Sequence, residues 1–418
     1  MHHFHYVKNE LHCESVPLRK IAEAVGSPAY IYSYATFERH FKVFDGAFSE
    51  IPHLTCFAVK ANSNIAILRA ISQWGGGVDI VSGGELFRSR TAGVPANRIV
   101  FSGVGKTEQE MRHGLRERIL LFNIESEEEL IKLSNVAKDC GRAAPIAIRV
   151  NPDINPKTHP YISTGLKKSK FGVQIRESVR LYRIARELPG IEVQGVSCHI
   201  GSQITRVKPF VETVKKLGAL VSTLKKLGLT IRFLDLGGGL GIPYDKESPP
   251  SPAEYAKAIA PELKKRNVTL LLEPGRVISG NAGILLTKVL YRKRQGNKIF
   301  VVVDGGMNDL IRPSLYGSHH EIWPVEKRKV KKEKVDVVGP VCESGDFLAK
   351  DRRLPAARPS DLLAVMSAGA YGFVMASNYN SRPRIPEVLV QGEQFFVIRQ
   401  REEYKDLLKG EHVPKFLI

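Results

Sequence analysis

Four residue groups bear side chains or backbone suited to chemistry, and each follows a short apolar run. Lys60 ends the stretch Phe57-Ala58-Val59-Lys60-Ala61-Asn62. A lysine after a buried strand is either a snorkelling surface group or, when partly desolvated, an amine whose pKa falls enough for Schiff-base chemistry. Gly237-Gly238-Gly239-Leu240-Gly241 follows Phe233-Leu234-Asp235-Leu236. Glycines let backbone N–H groups face a phosphate without a Cβ in the way, although tight strand-to-helix turns use them too. His199-Ile200-Gly201-Ser202-Gln203 offers a ring and a hydroxyl, or simply a satisfied rim histidine. Glu273-Pro274-Gly275-Arg276 offers a carboxylate that either pairs with a nearby cation or hydrogen-bonds a protonated ring nitrogen.

Three further clusters lie towards the C-terminus. Arg312-Pro313-Ser314-Leu315-Tyr316 combines a guanidinium with a phenol, which suits a carboxylate. Val341-Cys342-Glu343-Ser344-Gly345-Asp346 joins a thiol, a carboxylate and a turn. Gly369-Ala370-Tyr371-Gly372 presents a tyrosine in a small-residue turn. Taken singly, each is explained as well by structure as by function.

The elements that must position these groups follow from periodicity. Between about residues 36 and 280, apolar runs at 55–59, 77–81, 99–102, 119–123, 146–150, 193–199, 233–236 and 270–273 alternate with helix-like stretches. Eight strands alternating with helices predict an α/β fold, a (β/α)8 TIM-like barrel. Lys60, His199, the glycine run and Glu273 all fall where predicted strands end, the face on which barrels carry catalysis. After about residue 280 the rhythm becomes strand-like, with runs at 283–291, 298–303, 335–341, 362–366 and 387–390; residues 29–32 read the same way. The expected organisation is therefore a barrel over 36–280 and a second, mostly β domain, sandwich- or barrel-like, from 1–35 and 281–418.

The 418 residues suit two domains, and 43% hydrophobic with 25% charged residues is an ordinary globular balance. No apolar stretch is long enough for a membrane span and no secretory signal is visible, so a cytoplasmic protein is expected. The five cysteines form no CxxC pair. His2, His3 and His5 suggest a metal clamp at most in passing; a solvated terminus is the expectation, and no metal site is assigned. The net charge of +19 raises nucleic-acid binding as a class, but no stacking motif accompanies the dense run at 327–334, which reads as a solvated loop.

Together, and in this order, the clusters resemble the alanine-racemase-type (fold type III) enzymes dependent on pyridoxal 5'-phosphate (PLP), and among these the amino-acid decarboxylases. The resemblance spans nearly the whole chain. It implies that Lys60 holds the cofactor, that Asp79 lies near it, and that His199 stacks on its ring with Ser202 close to the phosphate. It implies a phosphate loop at Gly238 and Gly239, a ring-nitrogen partner in Glu273, and cofactor contacts from Gly275, Arg276 and Tyr371. Arg276, Arg312 and Tyr316 are implied to hold a distal carboxylate of the substrate and Glu343 its distal ammonium, with Tyr371 touching substrate too. A substrate ending in both charges points to the branch acting on meso-diaminopimelate and yielding L-lysine, the last step of lysine biosynthesis. Cys342 is implied to act in the other subunit's active site, hence a homodimer with shared sites. Ornithine-type decarboxylases carry an aspartate after the cysteine, and racemases an arginine at the position of Glu273. A catalytically silent PLP carrier would be a single barrel.

Overall fold

The computed structural model describes residues 2–155 and 170–417. The chain divides into two compact units: Glu38–Ser279, and a second made of Met1–Phe37 with Gly280–Ile418.

In the first unit, eight parallel strands close on themselves: His53–Ala58, Gly77–Ile80, Ile99–Phe101, Leu121–Ile124, Ala144–Asn151, Ile191–Ser197, Phe233–Asp235 and Thr269–Leu272. The last pairs with the first through Leu270 and His53, which seals the barrel. Each expected apolar run overlaps one of these strands. Helices between them bury one stripe: Glu127–Asp139 buries Leu130, Leu133, Val136 and Ala137. Their starts are written locally. Ser82, Thr107, Ser126 and Ser251 each accept an N–H of the first turn, and Thr107 with Glu110 and Ser251 with Glu254 form capping boxes.

Alternation along the strands builds the barrel interior in layers. Cys56, Val100, Leu121, Ala147, Phe233 and Leu271 form one apolar cluster. Two residues further along four of these strands, on the same inward side, stand Ser102, Asn123, Asp235 and Glu273, all buried. An oily floor thus lies under a polar layer at the C-terminal ends of the strands.

The second unit is mostly β. Its main sheet runs in the order Phe347–Pro355, Lys332–Val338, Lys298–Val303, Gly283–Gln295, Ala29–Ser33, Glu387–Gln391, Gln394–Arg399, with Leu362–Val365 and Ile322–Pro324 attached alongside. The 13-residue strand Gly283–Gln295 is the spine: its first half pairs with Ala29–Ser33 and Leu362–Val365, its second with Lys298–Val303. Ile31, Ile284, Leu286, Ala364, Val388 and Val390 bury against Phe4, Leu11 and Leu18.

Two details differ from expectation. The N-terminus is no solvated tail, because Phe4–Val7 pairs with Glu10–Cys13 and buries Phe4. The basic run is a loop only to Lys331; Lys332 opens a strand, and Lys327 lies 3.7 Å from the Tyr6 ring centre. Among the described residues, no helix is long and apolar enough to cross a membrane.

Candidate functional site

Lys60 occupies the short turn Val59–Ala61 directly after strand His53–Ala58. Its ammonium donates to Asp79 Oδ2 on the neighbouring strand Gly77–Ile80. The Asp79 side chain is wholly buried, whereas a third of the lysine side chain (33%) is exposed. A fixed buried anion therefore anchors an amine that still reaches the surface. Asp79 Oδ1 is buried without a hydrogen-bond partner among the described residues, which leaves acceptor capacity at this point.

The loop at 199–204 and the glycine loop lie side by side. Ile204 N–H donates to Gly239 O and Gly241 N–H to Ile204 O. Gln203 ties them further, donating to Ile242 O at 2.6 Å and accepting from Ile242 N–H at 3.2 Å. Gly237 has φ +64, a conformation that side chains disfavour, and a Cβ on Gly238 would lie 2.2 Å from Glu273 O. The glycines are therefore required by backbone closeness. Gly238 N–H donates to His199 Nδ1 at 3.2 Å. Burial, with the positive charges of Arg149 and Lys60, pushes the His199 pKa well down, so the ring is neutral and can accept that bond.

The sequence reading passed over the group beneath. Asn123 Nδ2 donates to Asp235 Oδ2 at 2.8 Å and more weakly to Glu273 Oε1 at 3.4 Å. Ser197 Oγ donates to Asp235 Oδ2 at 3.2 Å, and Ser102 Oγ to Glu273 Oε1 at 3.3 Å. Burial raises both acids above the usual carboxylate range, Glu273 the more because Asp235 and Asp79 add negative charge nearby. Glu85 was also passed over. It stands in the first turn of helix Gly83–Thr91, accepts from Val81 N–H at 2.8 Å, and burial pushes its carboxyl up to about 7. Its one sequence signal was an acid just past a strand end.

Arg276 is buried beside Glu273 in sequence. It donates to Tyr244 OH at 2.8 Å and to Ser202 Oγ at 3.1 Å. The structure thus joins Lys60 to Asp79, His199 to the glycine loop and Ser202 to Arg276. Gly275 lies where a Cβ would come within 2.8 Å of the Ala61 Cβ, so the turn after Lys60 and the turn after Glu273 touch.

The second unit carries the remaining candidates on its own loops. Arg312 and Tyr316 bound the short helix Arg312–Tyr316; the buried guanidinium lies 5.8 Å from the Tyr316 ring centre and donates to Ser318 Oγ at 3.2 Å and His320 Nε2 at 3.4 Å. Cys342 and Glu343 are exposed on one loop, where Cys342 N–H donates to Asn380 Oδ1 at 2.7 Å. Tyr371 is held at φ +55 in a separate turn.

Residues 34–280 match the family described as pyridoxal-dependent decarboxylase, pyridoxal binding domain. The diaminopimelate decarboxylase of Vibrio cholerae serotype O1 is 50% identical over 415 residues, covering 99% of each chain. The solved diaminopimelate decarboxylase of Helicobacter pylori, complexed with L-lysine, gives a TM-score of 0.91 at 41% identity over 94% of this chain and 98% of that one. Its counterpart from M. jannaschii, in co-complex with L-lysine, gives 0.95 at 38% identity over 99% of both.

Proposed function

The chain belongs to the pyridoxal-dependent decarboxylases, and on that premise we propose that it converts meso-2,6-diaminopimelate to L-lysine and carbon dioxide with PLP as cofactor. One arrangement carries the reading: an amine on a buried carboxylate, a glycine cradle and a buried acid on separate strand ends of one barrel, in a chain half-identical to diaminopimelate decarboxylases.

The barrel's donor set fits that cofactor. Three buried carboxylates, Asp79, Asp235 and Glu273, stand near one ammonium, and a cationic ring nitrogen would supply the missing positive charge. In this reading Lys60 offers the amine that would hold the cofactor, and Gly238, Gly239 and Ser202 would hold its phosphate. Neutral His199 would cover its ring, Glu273 would hold its ring nitrogen, and Asp79, Gly275, Arg276 and Tyr371 would complete the contacts. When bound, PLP supplies an electron sink for the pair released as carbon dioxide leaves.

The chain's own residues do the rest. Arg276, Arg312 and Tyr316 grip the distal carboxylate, and Glu343 takes the distal ammonium, so that one end of a two-headed substrate is fixed while the other reacts. Cys342 Sγ delivers the proton that replaces the lost carboxylate. The reading includes a homodimer in which Cys342 serves the other subunit's site. The exposure of Cys342 and Glu343 supports this, as do the exposed Ile65, Val81, Phe87 and Val104, which follow neighbouring barrel strands at their C-terminal ends. A cytoplasmic location belongs to the same reading.

The test is carbon dioxide release and L-lysine formation from meso-diaminopimelate with added PLP. Faster turnover of ornithine than of diaminopimelate would overturn the assignment of the distal carboxylate.

A further inference from the structure

We propose that Asp346 is a positioning residue that fixes the Cys342–Glu343 loop against the segment leading into Arg312 and Tyr316. The inference rests on the functional reading above and adds to it the group that holds its substrate-facing loops in register.

Asp346 is 5% exposed and closes the turn that begins at Val341. Its two oxygens tie its own turn to a segment remote in sequence: Val341 N–H, at the start of that turn, donates to Oδ2 at 2.6 Å, and Met307 N–H donates to Oδ1 at 2.6 Å. Both bonds are short, and both oppose the rise in the carboxyl's pKa that burial causes. The backbone on both sides is collapsed onto the carboxylate. A Cβ on Gly339 would lie 2.5 Å from Oδ2, and one on Gly306 3.0 Å from Oδ1. Only a small planar acceptor fits between two glycine-containing strands of backbone so placed.

Each bond leads onward to a residue of the reaction. Towards Cys342, Glu343 N–H donates to Val341 O at 2.8 Å and Asp346 N–H to Glu343 O at 3.0 Å, so the turn carrying the thiol is closed at both ends by residues that Asp346 holds. Towards Arg312, Asp309 and Leu310 N–H groups both donate to Gly306 O at 3.0 Å, which links the Gly306–Met307 peptide to the start of helix Arg312–Tyr316. A second strap joins the same two segments: Ser314 Oγ, inside that helix, donates to Gly345 O. Burial still leaves the Asp346 pKa above its ordinary value, with the two N–H bonds and the charge of Arg382 partly offsetting it.

The experiment uses full-length, PLP-loaded enzyme carrying Asp346→Asn, in which one oxygen becomes an NH2 facing a backbone N–H. Turnover of meso-diaminopimelate should fall about 10²-fold, the scale of a misplacement near 1 Å, mainly in kcat. The absorbance of lysine-bound cofactor should stay, and the rate at which iodoacetamide alkylates Cys342, read by peptide mass spectrometry, should change severalfold. Ser314→Ala should show the same pattern in weaker form and decides the matter if Asp346→Asn fails to fold. Wild-type kcat and wild-type Cys342 alkylation in either folded variant overturn the proposal. If the unsubstituted enzyme does not act on meso-diaminopimelate, the functional reading fails by itself, while the alkylation rates still report whether Asp346 sets the loop.

Discussion

The barrel and the β unit hold their reactive side chains by opposite means. In the barrel, candidates stand at or near the ends of short buried strands whose register is fixed by closure, and Asp79, Asp235 and Glu273 are all buried. In the β unit, Cys342 and Glu343 are exposed on a loop, and what fixes them is a side chain, Asp346, accepting from backbone on two loops. Rigid strand ends suit a group that must be held identically through every turnover, while loops suit selection among substrates. The difference predicts that damage in the barrel is read in the cofactor spectrum, and damage in the β unit in substrate binding or turnover with that spectrum unchanged.

The strongest break of that contrast is Lys60→Ala. Loss of the amine should remove the absorbance of lysine-bound cofactor and lower kcat by about 10⁴-fold; full turnover with an unchanged spectrum would refute the assignment. Glu273→Gln should follow, with kcat down roughly 10²–10³-fold as a preorganised charge is lost. It should also shift the cofactor spectrum, and a normal spectrum with normal kcat would detach Glu273 from the ring nitrogen.

On the other side, Arg312→Met should leave the spectrum intact and raise KM for diaminopimelate. Losing one side of a buried charge pair is on the order of 2–5 kcal/mol. A spectral change here, measured in the same buffer, would erase the proposed division of labour.

The smallest effect is on stability. Burial raises Asp309 in the β unit and Glu85 in the barrel to about 7 each. Between about pH 4 and 7 the folded chain therefore keeps protons that the unfolded chain has released. The stability tied to these groups is complete below that window and falls as pH rises through it. Asp309→Asn should flatten the fall in Tm between pH 5 and 8, by up to one proton or about 1.4 kcal/mol per pH unit. Glu85→Gln should flatten it less, since Asp309 is 1% exposed and Glu85 only partly buried. Parallel Tm curves for all three proteins would show that neither carboxyl titrates in that window.

Much of the barrel was legible because its parallel strands are buried on both faces and read as apolar runs of the right length. Lys60, His199, the glycines and Glu273 stood out because each interrupts such a run at its end. Asp235 and Asn123 did not, since a polar residue inside a short apolar run carries no local sign of its partner. The β unit was read less completely. Phe347–Pro355 mixes charged and apolar residues, and Ile322–Pro324 is three residues ending in proline whose partner strand, Leu362–Val365, lies about 40 positions on.

The sequence by itself determined where reactive groups fall relative to strands and which types they are, because period, caps and turn glycines act over a few residues. Lys60 at a strand end is such a fact. That its ammonium meets Asp79, that Asn123 bridges acids 112 and 150 positions away, and that Asp346 reaches Met307 were decided only by tertiary structure. Hydrogen bonds between remote residues form when closure of the barrel or apposition of loops brings their atoms together, and no local pattern of side chains encodes that distance.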